Sequence, residues 1–303
     1  MHSAGAPLFD SEFLAKLEQL HLLARRLFRG EQRAERRSRQ VGASLEFADY
    51  REYAPGDELR SIDWPAYGRF ERLFVKLYEH EQDVPVSFLI DASASMRWRP
   101  EARTDGWTKF DQARRVAAAL AYIALANLDA VNLHYFADGV LAEVGVSRGK
   151  AQFHRILEFM RQEQALGEKT HLLACVRSFA QRARRRGLVF ILSDFFDSAG
   201  YAEPLSLLHH AQFQVHAVQC LDPAELDPTE TGDLRLREIE GGQVMDVTAN
   251  ERLLRAYRDE ITRFNADFES FCRQRAIGYA SVLSDVPFQD VVLRVLRDGV
   301  ILK

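Results

Sequence analysis

A chain of 303 residues, 47% hydrophobic and 28% charged, has the composition of a soluble globular protein and length for one large domain or a large one with a smaller companion. A net charge of −4 excludes a protein built to coat nucleic acid. The longest apolar run, residues 116–128, is interrupted by Asn127 and too short to span a bilayer.

Residues 1–10 lack the basic-then-apolar pattern of a secretory signal, so a cytoplasmic protein without membrane insertion is expected. Cys175, Cys220 and Cys272 are widely spaced, odd in number and without a C-x-x-C pair. They are expected as reduced structural thiols rather than zinc ligands or disulfide partners.

In chain order, Phe13, Leu14, Leu17, Leu20, Leu23, Leu27 and Phe28 recur at near-helical spacing, which predicts an amphipathic helix over 11–28 with Ser11 as its N-cap. The Arg-rich run from Arg29 to Arg39 is expected as a solvated loop; a nucleic-acid patch would need a wider basic field. The stretch from Glu46 to Trp64 is dense in charges and rings, with Pro55-Gly56 as a turn signal. Asp49, Asp57 and Asp63 alternate with Arg51 and Arg60 beside Tyr50, Tyr53 and Trp64. Guanidinium–carboxylate pairs covered by aromatic rings would make a structural clasp. The alternative is a surface recognised by a partner, with Asp49, Arg51, Asp57, Arg60, Asp63 and Trp64 as the contacts. No histidine lies in the segment, which speaks against catalysis there.

Leu73 to Glu79 alternates as a strand. Val86 to Asp91 is a continuous apolar run, the pattern of a buried parallel strand, and it ends in Asp91-Ala-Ser93-Ala-Ser95. A helix is predicted over about 109–128, a strand over 131–136, a hairpin turn at Asp138-Gly139, and a strand over 140–146. Helices near 150–162 and 172–186 follow, the second stopped by Gly187. Then come a buried strand over 188–193 ending in Asp194, a helix over 202–210 and a strand over 214–219. The last quarter reads as a hairpin (234–247, turning at Gly241-Gly242), a helix over about 250–275, a strand over 278–283 and a helix from Pro287. Alternating strands and helices predict an α/β fold with a doubly wound, mainly parallel sheet. One antiparallel hairpin is expected on its edge, and a small N-terminal α+β extension before it. The expected division is 1–80 and 81–303.

In such a sheet the C-terminal strand ends lie along one edge, where ligands bind. Asp91, Ser93 and Ser95, then Thr170 in the loop after Gly167, then Asp194, would bring two carboxylates and three hydroxyls to that edge. Hard oxygen donors of this kind suit octahedral Mg²⁺, and the set leaves a position that an acidic side chain of a partner can fill. Other readings stand beside it: Asp91 and Asp194 as helix caps, Thr170 as N-cap of the following helix, and Asp197 in place of Asp194.

Asp91-Ala-Ser93-Ala-Ser95, Thr170 and Asp194 resemble, in order, the metal-ion-dependent adhesion site of von Willebrand factor A domains. Glu46-Phe-x-Asp-x-Arg-x-Tyr-x-Pro-Gly-Asp, followed by Arg60-Ser-Ile-Asp63-Trp64, looks like the hallmark of a bacterial family catalogued as domain of unknown function 58, whose C-terminal half is A-domain-like. The resemblance covers nearly the whole chain from Gly30. It implies a fold of von Willebrand factor A type and a non-enzymatic interaction module working through Mg²⁺ or another divalent cation such as Mn²⁺ or Ca²⁺. It implies direct ligation by Ser93 and Ser95, ligation by Thr170 directly or through water, and water-mediated roles for Asp91 and Asp194. It also implies association with a MoxR-type AAA+ ATPase or its client protein. Many relatives carry transmembrane helices, from which this chain departs.

Two other functions compete. A Mg²⁺-dependent phosphohydrolase of haloacid dehalogenase type would use Asp91, Ser95, Lys169 and Asp194, but position 93 is Ser where that chemistry needs a second Asp as general acid/base. Nucleic-acid binding would use Arg29 to Arg39 and Arg182 to Arg186 and would be steeply salt-dependent. No G-x-x-x-x-G-K-[ST] is present, so ATP hydrolysis would belong to a partner.

Overall fold

The structure, a computed structural model, describes residues 7–35, 46–54, 57, 62–79, 85–100, 106–161 and 167–297. Two compact units emerge: residues 27–83, and residues 1–26 together with 84–303. The start of the N-terminal helix therefore groups with the larger unit.

Helix α1 runs over Ser11–Glu35. Its cap is Asp10, whose carboxylate accepts the Phe13 N–H at 2.6 Å, and Ser11 is already inside the helix. The expected loop from Arg29 is helical as far as Glu35, because Arg, Glu, Gln and Ala are all good helix formers; Arg36 to Arg39 lie outside the described residues. The first half of α1 buries Phe13, Leu17, Leu20 and Ala24, with Phe13 4.6 Å from the Phe288 ring.

In the smaller unit, β1 (Glu46–Glu52) pairs antiparallel with β2 (Phe74–Glu79). Between them lies α2 (Trp64–Phe70). Neither β1 nor α2 was legible as an element in the sequence, where charge and aromatic density masked the alternation.

The larger unit holds a six-stranded sheet. Its elements in chain order are β3 (Pro85–Asp91), α3 (Lys109–Ala126), β4 (Ala130–Phe136), β5 (Val140–Arg148), α4 (Phe153–Arg161), α5 (Leu172–Arg182), β6 (Leu188–Ser193), α6 (Ala202–His210) and β7 (Gln214–Leu221). There follow α7 (Pro223–Leu226), β8 (Gly232–Arg237), β9 (Val244–Ala249), α8 (Glu251–Gln274), β10 (Gly278–Leu283) and α9 (Phe288–Arg297). The strand order is β10-β7-β6-β3-β4-β5, parallel except for the β4–β5 hairpin on the edge. β8 and β9 form a separate antiparallel ribbon.

Alternation along the buried strands fills both faces. Leu89, Val189, Ile191, Val215 and Ala217 meet Val176 and Phe179 of α5, Leu205 and Leu208 of α6, and Phe268 and Cys272 of α8. On the other face Phe88 stacks on Phe190 at 5.2 Å and 8°, beneath α3. Helix α3 is alanine-rich and buried nearly all round, as expected of a helix that lies deep against a sheet. Helix α5 ends at Arg182, so Gly187 does not stop it. Gly187 is instead needed for close approach: a Cβ there would meet the Pro85 carbonyl oxygen at 2.2 Å. Cys175, Cys220 and Cys272 are free and buried. No described helix is long and apolar enough to cross a membrane.

Candidate cation and partner-binding site

The chain runs from β3 through β4 and β5 to one side of the sheet, and from β6 through β7 to the other. The reversal lies between β3 and β6, and a crevice at the C-terminal ends of two such strands is where open α/β sheets bind ligands. Asp91 closes β3 and Asp194 follows β6, so the topology itself sets these carboxylates side by side.

Asp91 is fully buried. One carboxylate oxygen accepts the Ser93 N–H at 3.0 Å, and the other accepts the Ser193 hydroxyl at 2.6 Å, which ties the end of β3 to the end of β6. Burial, reinforced by the charge of Asp194, pushes the Asp91 carboxyl up to about 7. Ser93 and Ser95 place their hydroxyl oxygens 3.0 Å apart, Ser93 buried and Ser95 half-buried. Neither Asp91 nor Asp194 caps a helix.

Asp194 sits on a strained turn. Phe195, with φ 61°, is a non-glycine residue in the left-handed region, a conformation that persists only where the surroundings enforce it. The turn lets Ser193 Oγ accept the Phe195 N–H at 3.0 Å and Asp194 Oδ1 accept the Phe196 N–H at 3.1 Å. Phe195 is anchored against Phe268 at 4.6 Å.

The other Asp194 oxygen receives a group that sequence reasoning missed. Lys109, fully buried at the start of α3, donates to Asp194 Oδ2 at 2.8 Å and to Glu225 Oε1 at 2.5 Å. Burial alone would pull the ammonium down, but Asp194 and Glu225 outweigh it and hold Lys109 above its ordinary value. Glu225 belongs to the capping box of α7, and its carboxyl is raised by burial despite Lys109. The signal for Lys109 was Thr108 three residues before Asp111, a capping box that the structure contains. Burial of the lysine was not legible, because its partners are 85 and 116 residues away. Lys169, cast as the lysine of a phosphohydrolase, is exposed.

Thr170 lies beside the end of β4. His171 N–H donates to the Ala137 carbonyl at 2.8 Å, and Gly167 packs so closely that a Cβ would meet Ala137 Cβ at 2.2 Å. Thr170 does not cap α5. That helix receives its cap from Asp197, whose Oδ2 accepts the Leu172 N–H at 2.9 Å. Both donors of Thr170 go to Glu240: the N–H to Oε2 and the hydroxyl to Oε1, each at 3.0 Å. Asp91, Ser93, Ser95 and Asp194 are thus gathered at the β3/β6 crevice, and Thr170 lies beside the end of the neighbouring strand β4 with Glu240 upon it.

Among the described residues no group of three or more His, Cys, Asp or Glu is placed to hold a metal; the donor set here is of another kind, carboxylates with hydroxyls. Carboxylates with hydroxyls are hard oxygen donors, the kind that suits a hard cation.

In the smaller unit, Arg51 donates to Asp57 Oδ1 at 2.7 Å and Ala54 N–H to Asp57 Oδ2 at 2.8 Å. The Arg51 guanidinium and the Ala54 N–H hold the Asp57 carboxyl below its usual value. Asp63 is buried and caps α2 through the Ala66 N–H at 3.1 Å. Trp64, Tyr67 and Phe70 are exposed. The backbone of Asp49 pairs with Leu77; its side chain, and Arg60, lie outside the described residues.

The chain is 25% identical over 257 residues to uncharacterized proteins of Mycobacterium bovis and Mycobacterium tuberculosis, a match covering 84% of this chain and 78% of each relative. Among solved structures it is similar to a conserved hypothetical protein, BatB, from Bacteroides thetaiotaomicron, with TM-score 0.46, 15% identity, and coverage of 71% of this chain and 97% of that one. An aerotolerance-related membrane protein from Bacteroides fragilis gives TM-score 0.45 and 15% identity, over 71% of this chain and 100% of that one. Residues 49–267, well over half of the chain, match the family described as protein of unknown function DUF58, and the chain belongs to that family.

Proposed function

We propose that this chain is a non-enzymatic interaction module of von Willebrand factor A type that captures a partner through a divalent cation, Mg²⁺ foremost, in the service of a MoxR-type AAA+ ATPase or its client. The observation that carries the reading is the Asp91 carboxyl: buried, beside Asp194, and flanked by two hydroxyls 3.0 Å apart. A buried carboxyl that otherwise holds its proton can give it up to a hard cation among oxygen donors, which takes the place of that proton as counter-charge. Ser93 and Ser95 would hold it directly, Asp91 and Asp194 through water, and Thr170 in either way. Bound there, a cation supplies positive charge that a partner's carboxylate can complete.

Phosphoryl transfer is the weaker reading. Position 93 is Ser where that chemistry needs a second Asp as general acid/base, and Lys169, its candidate lysine, is exposed. Affinity capture from native lysate with and without Mg²⁺, comparing wild type with Asp91→Ala, tests the proposal. Capture that needs Mg²⁺ and is lost in the variant is the expected result; capture indifferent to a chelator would sink it.

A further inference from the structure

The β8–β9 ribbon is weakly held. Of its twelve strand positions only Ala249 is buried, and a two-stranded ribbon contributes little stability of its own. Its tip turns through Gly241 and Gly242, the latter with φ +70°, and the residue just before those glycines is Glu240. That half-buried carboxylate reaches Thr170 and takes both of its donors, leaving Thr170 only 7% exposed. A mostly exposed ribbon with a glycine turn at its tip, where a carboxylate grips another loop, has the build of a latch. The carboxylate is also the chemical group that a cation-dependent partner would bring to the site.

We infer that Glu240 is an internal stand-in for the partner's acidic side chain: it occupies the Thr170 side of the site in the free protein, and an incoming carboxylate must displace it. The inference rests on the cation reading above and adds its regulation. No atom of Glu240 is required as a ligand, since the Thr170 hydroxyl donates to Glu240 through its hydrogen and keeps its lone pairs.

The experiment uses the full chain as wild type, Glu240→Ala and Glu240→Gln, with folding checked by circular dichroism. Mn²⁺ binding is read by electron paramagnetic resonance. Binding of N-acetylglutamate N-methylamide to the Mn²⁺-loaded protein is read by paramagnetic broadening of the probe. Mn²⁺ affinity is expected to stay within about threefold across the series, while E240A binds the probe at least about tenfold tighter than wild type and E240Q falls between. Equal probe affinities with Mn²⁺ bound in all three would overturn the latch alone and leave the cation site standing. A loss of Mn²⁺ affinity in E240A of about tenfold or more would also overturn it, by making Glu240 a ligand. Absence of Mn²⁺ binding in all three proteins would overturn the cation reading and the latch with it.

Discussion

Replacing Asp91 by asparagine should stabilise the metal-free protein, and increasingly so as the pH rises. The substitution is nearly isosteric and the hydrogen bonds survive it: Asn Oδ1 can accept the Ser93 N–H, and Nδ2 can donate to Ser193 Oγ. What disappears is a buried titration. The folded carboxyl keeps its proton to about 7, against 3.8 for an ordinary aspartate, so folding takes up a proton between those values. A group raised in this way contributes its stability fully below the unfolded value and loses it as the pH climbs through the folded one. Integrating the shift, wild type should lose about 2–3 kcal/mol relative to Asp91→Asn between about pH 5 and about pH 8. Urea denaturation of both proteins in EDTA across that range measures the difference directly. Saturating Mg²⁺ should then shrink the wild-type loss and leave the variant unmoved. A pH dependence that is parallel in the two proteins in EDTA would refute the reasoning, since it would place the titration elsewhere.

Lys109→Met should cost about 3–5 kcal/mol in urea denaturation, because it leaves Asp194 and Glu225 buried without their ammonium; a loss under about 1 kcal/mol would mean that the pair is replaceable. The double variant Ser93→Ala with Ser95→Ala should keep its fold and lower Mn²⁺ affinity by about tenfold or more, read by electron paramagnetic resonance. Unchanged Mn²⁺ affinity would show that the hydroxyls are not ligands. Trp64→Ala removes an indole that is 60% exposed, so the midpoint of thermal unfolding should barely move, with stability within about 0.5 kcal/mol of wild type. A large loss would mean that Trp64 is buried by something in solution.

Where the hydrophobic period was clean, the sequence was readable in detail. Helix Ala202–His210 and strand Gly278–Leu283 lie where their patterns predict, and the strand carrying Asp91 begins one residue earlier than expected. The chain was least legible where local signals competed. Arg29 to Glu35 carries so much charge that it resembles a loop, although its residues are strong helix formers. Gly187 resembles a helix stop, although it is a contact made possible by a missing Cβ. Thr170 resembles an N-cap, although the cap of α5 comes from Asp197 in a different loop.

What the sequence determined by itself was the chemistry available at the strand ends: Asp91, Ser93, Ser95 and Asp194 in an alternating α/β chain, whose period dictates that such residues fall on one edge of the sheet. What only the tertiary structure decided was how those groups are paired. Lys109 with Asp194, Ser193 with Asp91, and Glu240 with Thr170 are contacts across 70 residues of chain or more. Spacing along a chain reports helix faces and strand sides, because those are fixed by local backbone geometry. It does not report which charge is buried beside which, because that depends on the order in which the strands are laid down.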